Sequence, residues 1–263
     1  MEANRASALG RRSVLGAGLG LGAALVTGCA GAPPSPAPSA APGTPDPPPS
    51  PPPAPPPSSS RPAAGPATQI TRSSSGRPEI ALTFHGAGEL PITRQVLDVL
   101  ARHDVKVTVL AVGTWLTSVP DAIRAVRDGG HEIGNHTWSH GDLAAMRPAA
   151  VRDEIERCRD RLAAVAGTPG AFFRQSQGQY ATATELAEAG RAGYDRVLSY
   201  DVDSLDWTDP GPARIRAAVA AAKAGSIVSM HLGHPGTVAA LPLVLTDLAG
   251  RGLKPVTAGQ LLT

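Results

Sequence analysis

Two histidines, His136 and His140, stand four residues apart in the stretch GHEIGNHTWSH. On a helical turn this spacing puts both imidazoles on one side, where they can share one divalent cation. Two hydrogen-bonded loop histidines would show the same spacing, so the pair alone leaves both interpretations open. The interpretation as a metal site therefore depends on which other reactive residues lie near the pair.

Short apolar segments rich in β-branched residues predict seven strands, at 79–84, 106–112, 131–135, 171–174, 195–200, 226–231 and 253–257. Amphipathic segments lie between them. The clearest is 148–166, where apolar side chains recur at spacings of 4, 3, 4 and 3 residues, and further helices are predicted over 212–224 and 237–250. This alternation predicts an α/β domain of parallel βα units, either a closed barrel of seven units or an open doubly wound sheet.

Several potentially reactive side chains fall at or just past the ends of these predicted strands: His85, His136, Arg174, Asp201 and His231. In both α/β architectures, functional groups gather just after the carboxyl ends of the strands. Histidines scattered through a core would not share this placement. The placement favours one functional site that includes the pair.

The first 66 residues are predicted to lie outside the α/β domain, which we place at 67–263. Residues 1–29 have the features of an export signal, with Arg11 and Arg12 ahead of an apolar run that ends at Cys29. The twin arginine fits export of a folded protein, and a basic segment for the general export route fits equally well. Residues 30–66 form a predicted disordered linker, because its proline-rich sequence lacks large apolar side chains.

Charge and cysteine content restrict the partners of the domain. The formal net charge of +2 comes from the predicted signal. The whole chain has 24 basic and 22 acidic residues, and the signal holds Arg5, Arg11, Arg12 and Glu2, so the chain beyond it has 21 of each. A domain with equal numbers of basic and acidic residues shows no basic excess of the kind that binds nucleic acid. Cys158 lies on the apolar stripe of 148–166 and is predicted to be a small core residue. We expect a monomer.

Six motifs in order resemble those of the polysaccharide deacetylase family, also called the NodB-homology or carbohydrate esterase family 4 domain: LTFHG, GHEIGNHTWSH, FFRQSQGQY, DVDSLDW, GSIVSMH and GLKPVTAGQLL. The resemblance covers residues 78–263. It implies a distorted (β/α)7 barrel that removes acetyl groups from polysaccharides, most often from N-acetylglucosamine units such as those of peptidoglycan. It also implies a divalent metal, usually zinc, that polarises the acetyl carbonyl and activates a water.

The resemblance also assigns roles to individual residues. His136 and His140 match metal ligands, and His231 matches the general acid. Asp206 matches the carboxylate that orients that acid, and Arg174 matches the arginine that tethers the catalytic base. Trp207 and Tyr180 are expected to contact substrate. VTGC, ending at Cys29, resembles the lipobox of bacterial lipoproteins, which implies lipidation of Cys29 and anchoring to the extracytoplasmic face of the cell membrane.

The first motif departs from the family pattern. His85 replaces the aspartate that acts as the base, and Gly86 replaces the aspartate that binds the metal. An imidazole beside Arg174 is expected to have a lowered pKa and to remain a usable base. Glu89 is the nearest carboxylate that could bind the metal instead, although a solvated loop acid fits it at least as well, and Asp142 is a weaker candidate.

A further departure is Ser229, which replaces a leucine two residues before His231, next to the expected position of the acetyl methyl group. Three functions follow from the pattern and its departures. The first is a metal-dependent carbohydrate deacetylase. The second is a catalytically impaired, membrane-anchored glycan-binding protein, and the third is a hydrolase of other amide or ester bonds.

Overall fold

The computed structural model of the 263-residue chain describes residues 65–263. The predicted export signal at 1–29, the lipidation at Cys29 and almost all of the predicted linker lie outside the described residues. The strands are β1 (Thr68–Ile70), β2 (Glu79–Gly86), β3 (Thr108–Ala111), β4 (Glu132–Asn135), β5 (Arg196–Leu198), β6 (Val202–Asp203), β7 (Ile227–His231) and β8 (Lys254–Val256). The helices are α1 (Leu90–Arg102), α2 (Gly113–Ser118), α3 (Pro120–Asp128), α4 (Pro148–Ala166), α5 (Ala183–Arg191), α6 (Pro212–Val219), α7 (Pro235–Gly250) and α8 (Ala258–Leu261).

Parallel ladders join the strands in the order β4-β3-β2-β7-β6, and β8 pairs with the first half of β2. A separate parallel ladder joins β1 to β5. In the ladder between β2 and β7, His85 is the register partner of His231, and Thr83 is the partner of Ser229. Since alternate residues of a strand point to the same face, these four side chains project from one face of the sheet.

Isolated bridges connect the two sheets. Phe173 bridges to Asn135 of β4 and to Val197 of β5, and Arg72, just after β1, bridges to Ser226 just before β7. Within residues 65–263 the continuous ladders do not close a complete barrel, and single bridges span the gaps. The predicted α/β fold of parallel strands is confirmed, and its ring of strands is distorted as expected.

Two element predictions need correction. The predicted strand 171–174 is reduced to isolated bridges at Phe173, because this one residue pairs with both β4 and β5. The predicted helix 212–224 ends as an α-helix at Val219, where i to i−3 hydrogen bonds of Ala221 and Ala222 tighten the last turn. The prediction of 148–166 matches α4 residue for residue.

The core lies between the strands and the surrounding helices. Helix α4 buries Val151, Ile155, Cys158 and Leu162 along one stripe, as its spacing predicts. The thiol of Cys158 donates to the carbonyl of Ala111, and burial raises the pKa of that thiol to about 12. Cys158 is therefore a core residue, as predicted. Among residues 65–263, no helix combines the length and the apolar character that crossing a membrane requires.

Candidate metal and acid–base site

Four imidazoles meet at the carboxyl edge of the parallel strands. His85 lies near the end of β2, His136 directly follows β4, His140 lies in the next loop, and His231 ends β7. The ring centroid of His85 is 4.1 Å from that of His136 and 4.3 Å from that of His231. The centroids of His136 and His140 are 4.7 Å apart. The structure thus brings the predicted histidines into one cluster.

Three of these imidazoles fit a metal ion. One ring nitrogen from each of His85, His136 and His140 lies within 4.8 Å of the other two. Nδ1 of His136 is 3.0 Å from the carbonyl oxygen of Arg174, which can only accept, so the proton belongs on Nδ1 and the lone pair on Nε2. That Nε2, like Nδ1 of His85, is buried without a hydrogen-bond partner in residues 65–263. Buried unpaired nitrogens cost free energy, and a cation between them would remove that cost.

The lowered pKa values of the three imidazoles suit metal binding. Burial, followed by the neighbouring imidazoles, lowers the pKa of His85 and of His136 well below the usual range. Burial also lowers the pKa of His140. From the sequence, the lowered pKa of His85 is expected to come from Arg174, but burial is the larger cause. Neutral imidazoles are the form that binds metals.

The loop that carries the pair is fixed by side chains. The side-chain oxygen of Asn135 accepts from the N–H of Thr137 (2.9 Å), and the hydroxyl oxygen of Thr137 accepts from the N–H of His140 (3.1 Å). These bonds hold Thr137 and His140 at φ values of 67° and 60°, which cost free energy for residues other than glycine. Glu154 accepts from the N–H and the hydroxyl of Ser139, at 2.7 and 2.9 Å. The two imidazoles are therefore positioned by a rigid backbone.

Glu154 is not among the site residues predicted from the sequence, although the sequence carries a signal for it. Glu154 comes three residues after Val151 and four before Cys158, so it lies on the buried stripe of α4. A carboxylate at a core position needs hydrogen-bond donors. Searching the helix stripe for such a residue would have identified the support of this loop.

His231 forms a hydrogen-bonded pair with Asp206. Nδ1 of His231 is 2.6 Å from Oδ1 of Asp206, while Oδ2 accepts from the N–H of His231 and the hydroxyl of Thr237, at 2.8 and 2.6 Å. Burial alone would raise the pKa of Asp206, but the hydrogen bonds from His231 and Thr237 outweigh it and lower that pKa. The carboxylate therefore stays ionised and fixes the orientation of the ring.

Arg174 is fully buried and lies beside the cluster. It donates to the carbonyls of Leu198 and Ser199, at 2.6 and 3.2 Å, and to the hydroxyl of Thr83 at 2.9 Å. The predicted tether to His85 is not among these bonds. Burial lowers the pKa of the guanidinium to about 9, so it remains charged at neutral pH. Arg174 links the end of β5 to β2 and places a positive charge behind the site.

The structure does not bring the two candidate carboxylates to the cluster. Glu89 is exposed at the start of α1, and Asp142 is exposed and accepts from the N–H of Ala144. At Gly86, an added Cβ would lie 2.9 Å from Cζ3 of Trp115, so the aromatic ring occupies the space of a side chain. The third ring nitrogen comes instead from His85.

A cleft of about 500 Å³ opens onto the cluster. The cleft is lined by His85, His140, Gln175, Gln177, Gly178, Gln179, Tyr200, Asp203, Trp207, Ser229 and His231. Trp207 is exposed at this cleft, as a substrate contact requires, whereas Tyr180 is exposed and does not belong to the lining. Tyr200 and Asp203 were not predicted. Tyr200 follows β5 and Asp203 ends β6, and this position at a strand end is the one signal that could have drawn attention to them.

The fold and the cleft define a class: an α/β protein of parallel strands with a candidate metal and acid–base site at their carboxyl ends. The family model for polysaccharide deacetylase matches residues 72–197. A chitooligosaccharide deacetylase from Bradyrhizobium sp. (strain ANU 289) is 37% identical over 164 residues, which cover 61% of this chain and 74% of that protein. The chain belongs to the polysaccharide deacetylase family.

Solved structures agree with this membership. A peptidoglycan N-acetylglucosamine deacetylase is similar with a TM-score of 0.69 and 28% identity, covering 74% of this chain and 92% of that chain. A carbohydrate esterase family 4 pseudoenzyme from Bacillus anthracis is similar with a TM-score of 0.70 and 24% identity, covering 74% and 69%. The second likeness supports the fold alone. The expected family and fold are confirmed, and the roles of individual residues stay predictions.

Proposed function

We propose that this protein is a metal-dependent hydrolase that removes acetyl groups from a cell-envelope or extracellular polysaccharide of the N-acetylglucosamine type. The observation that carries this proposal is a cluster of three imidazoles, two of which line the cleft, beside a fourth imidazole bound to a carboxylate. Similarity to a chitooligosaccharide deacetylase and to a peptidoglycan N-acetylglucosamine deacetylase supports this substrate class.

His85, His136 and His140 would hold the divalent cation. Three imidazoles without a carboxylate suit zinc better than magnesium or calcium, which prefer oxygen ligands. When bound, zinc would polarise the acetyl carbonyl and lower the pKa of a water molecule. In this assignment His85 is a ligand and not the base that the family pattern implies, and Glu89 is not needed.

His231 would carry the proton transfers. With the proton of Nδ1 donated to Asp206, neutral His231 has a lone pair on Nε2 that accepts a proton from the attacking water. The water oxygen bonds to the acetyl carbon, and the carbon–nitrogen bond breaks as His231 returns the proton to the leaving nitrogen. The products are acetic acid, which ionises to acetate, and a free amine. Asp206 stabilises the imidazolium between the two transfers.

The rest of the cleft suits a sugar. Trp207 and Tyr200 offer aromatic surfaces to the apolar faces of a sugar ring, and the exposed amide of Gln177 offers polar groups to its edges. The side-chain amide of Gln175 donates to the carbonyl of Gln179 (2.7 Å), so this polar loop is internally fixed. A fixed polar wall beside aromatic surfaces matches a glycan substrate.

Acetate release tests the proposal directly. The purified protein, loaded with zinc, would be given chitooligosaccharides, N-acetylated peptidoglycan and a non-carbohydrate aryl acetate. We expect acetate from at least one glycan, loss of release with a chelator, and recovery when zinc is restored. His231→Ala should abolish release, and His103→Ala, an exposed histidine outside the cleft, should not affect it.

Two other results would redirect the assignment. Glycan binding without acetate release, at full zinc occupancy, would favour the catalytically impaired glycan-binding protein, which the occupied space at Gly86 also favours. Release from the aryl acetate alone would favour a hydrolase of other acyl bonds.

We also propose that the protein is exported and anchored to the extracytoplasmic face of the cell membrane by a lipid on Cys29, with the proline-rich segment 30–66 as a spacer. The basic and apolar character of residues 1–29 supports this location. A Cys29→Ser variant should move from the membrane fraction to the soluble fraction. Retention of this variant on the membrane would contradict the lipid anchor.

A further inference from the structure

Ser229 and His85, two residues that depart from the family pattern, are in contact. The hydroxyl oxygen of Ser229 lies 3.3 Å from Nε2 of His85, and both side chains line the cleft. The ladder between β2 and β7 explains the contact, because Ser229 pairs with Thr83 and therefore shares a face with His85. A leucine at position 229 would offer no hydrogen-bonding atom to this ring.

The two nitrogens of His85 have different surroundings. Nε2 faces the hydroxyl of Ser229, while Nδ1 is buried and has no hydrogen-bond partner in the described part of the chain. A neutral imidazole carries one proton and one lone pair, and the partner of one nitrogen decides which nitrogen can bind a metal. If the proton were on Nδ1, a buried N–H would remain unpaired at a free-energy cost. With the proton on Nε2, this N–H donates a hydrogen bond to the hydroxyl oxygen of Ser229, and the lone pair of Nδ1 is free.

His136 shows the same arrangement in an unambiguous form. Its Nδ1 faces the carbonyl oxygen of Arg174, which has no proton to donate, so the lone pair is on the unpartnered Nε2. Each of these two imidazoles thus has one nitrogen with an oxygen partner and one buried nitrogen without any partner.

We propose that Ser229 is a positioning residue that holds the proton of His85 on Nε2, so that Nδ1 of His85 completes a three-imidazole metal site with His136 and His140. The replacement of leucine by serine on β7 therefore accompanies the replacement of aspartate by histidine on β2. This inference rests on the proposed function for its metal, but it concerns metal binding and not turnover.

Metal binding by the full chain tests the inference without substrate. Dissociation constants for zinc would be measured by competition with a chromogenic chelator, and the ligand field would be followed by the visible absorption of bound Co²⁺. We expect Ser229→Ala to weaken zinc binding roughly 10- to 100-fold and to alter the Co²⁺ spectrum. His85→Ala should weaken binding at least as much. Ser229→Thr retains the hydroxyl and should show the zinc affinity and the Co²⁺ spectrum of the parent.

Ser226→Ala is the matched control, because Ser226 is equally buried just before β7 and bonds to Asp201, away from the cluster. It should bind zinc as the parent does. Parental affinity in Ser229→Ala would overturn the inference, as would a Ser229→Thr variant that binds zinc as weakly as Ser229→Ala. Weakened zinc binding in these variants, in a protein that releases no acetate from any glycan, would uphold the metal site and reject the deacetylase activity.

Discussion

The two sides of the cleft use the same side chain in different ways. On the metal side, His85 and His136 each keep a buried nitrogen without a partner in residues 65–263. On the acid side, Nδ1 of His231 is paired with Asp206, which also accepts two further hydrogen bonds. In the proposed assignment the two buried rings with a free lone pair are metal ligands, whereas the carboxylate beside His231 stabilises its protonated form and makes that ring a proton carrier. The partners of each ring, and not the residue type, separate the two roles.

The sharpest test of this comparison changes the acid side alone. Asp206→Asn keeps the size of the side chain but removes the charge that stabilises protonated His231. We expect kcat for acetate release to fall roughly 10²- to 10⁴-fold, the usual contribution of general acid–base catalysis, while zinc affinity stays close to that of the parent. Steady-state kinetics and zinc titration of the same preparation check both parts. A large loss of zinc affinity would show that the two sides are not separate.

A second test tries to place a side chain at the position where the family has its acidic ligand. An added Cβ at Gly86 would also lie 3.0 Å from Cα of Ala111, in addition to its contact with Trp115. We expect Gly86→Ala to lower the free energy of unfolding by about 1–3 kcal/mol through overpacking, and Gly86→Asp to lower it without improving zinc affinity. Urea denaturation of the metal-free proteins measures the effect.

Gly250→Ala is the control for that test, since an added Cβ there meets no atom within 4 Å at the end of α7. It should be neutral or slightly stabilising. A Gly86→Asp variant that is as stable as the parent and binds zinc more tightly would show that the aspartate still has room, and that the metal side is not built from imidazoles alone.

The positions of most site residues could be predicted because local patterns carry them. Apolar runs mark strands, and His85, His136 and His231 stand at the ends of such runs. The stripe of α4 was equally visible, and its bounds agree with the prediction. These features depend on residues close together in the sequence, so the sequence alone was sufficient for them.

The partners of those residues could not be predicted, because contacts between distant segments decide them. Ser229 and His85 are 144 residues apart, and the register of two parallel strands brings them together. The filling of the space at Gly86 by Trp115 depends on how α2 packs on β2. For this reason the sequence predicts a carboxylate such as Glu89 as a metal ligand, whereas the structure gathers a third imidazole.

His131 extends the comparison to a histidine outside the cleft. Its Nδ1 accepts from the N–H of Val107 (3.2 Å), and burial, with a smaller effect of Lys106, lowers its pKa to about 4. The folded state therefore binds a proton less readily than the unfolded state, whose histidine titrates near pH 6.5. The stability contributed above pH 6.5 should be lost as the pH falls towards 4, by about 3 kcal/mol.

The measurement compares urea denaturation of the metal-free parent with that of His131→Asn across this pH range. Asparagine places an oxygen near the position of Nδ1 but does not titrate. Because the cleft histidines also titrate here, the expected result is a smaller loss of stability in the variant and not its absence. Equal losses in the two proteins would mean that His131 does not contribute.

The smallest expected effect comes from a second histidine–aspartate pair, His234 with Asp209, which is also separated by 25 residues along the chain. The side chain of Asp209 is 66% exposed, whereas that of Asp206 is fully buried, so water competes for the bond between Asp209 and His234. Exposed ion pairs contribute about 0–1 kcal/mol, and Asp209→Asn should therefore change kcat by less than about fivefold. Since the His234 ring centroid is 5.7 Å from that of His231, a tenfold loss of kcat would show instead that the outer pair takes part in proton transfer. Burial of the carboxylate would then not be the feature that separates the pair of His231 and Asp206 from the pair of His234 and Asp209.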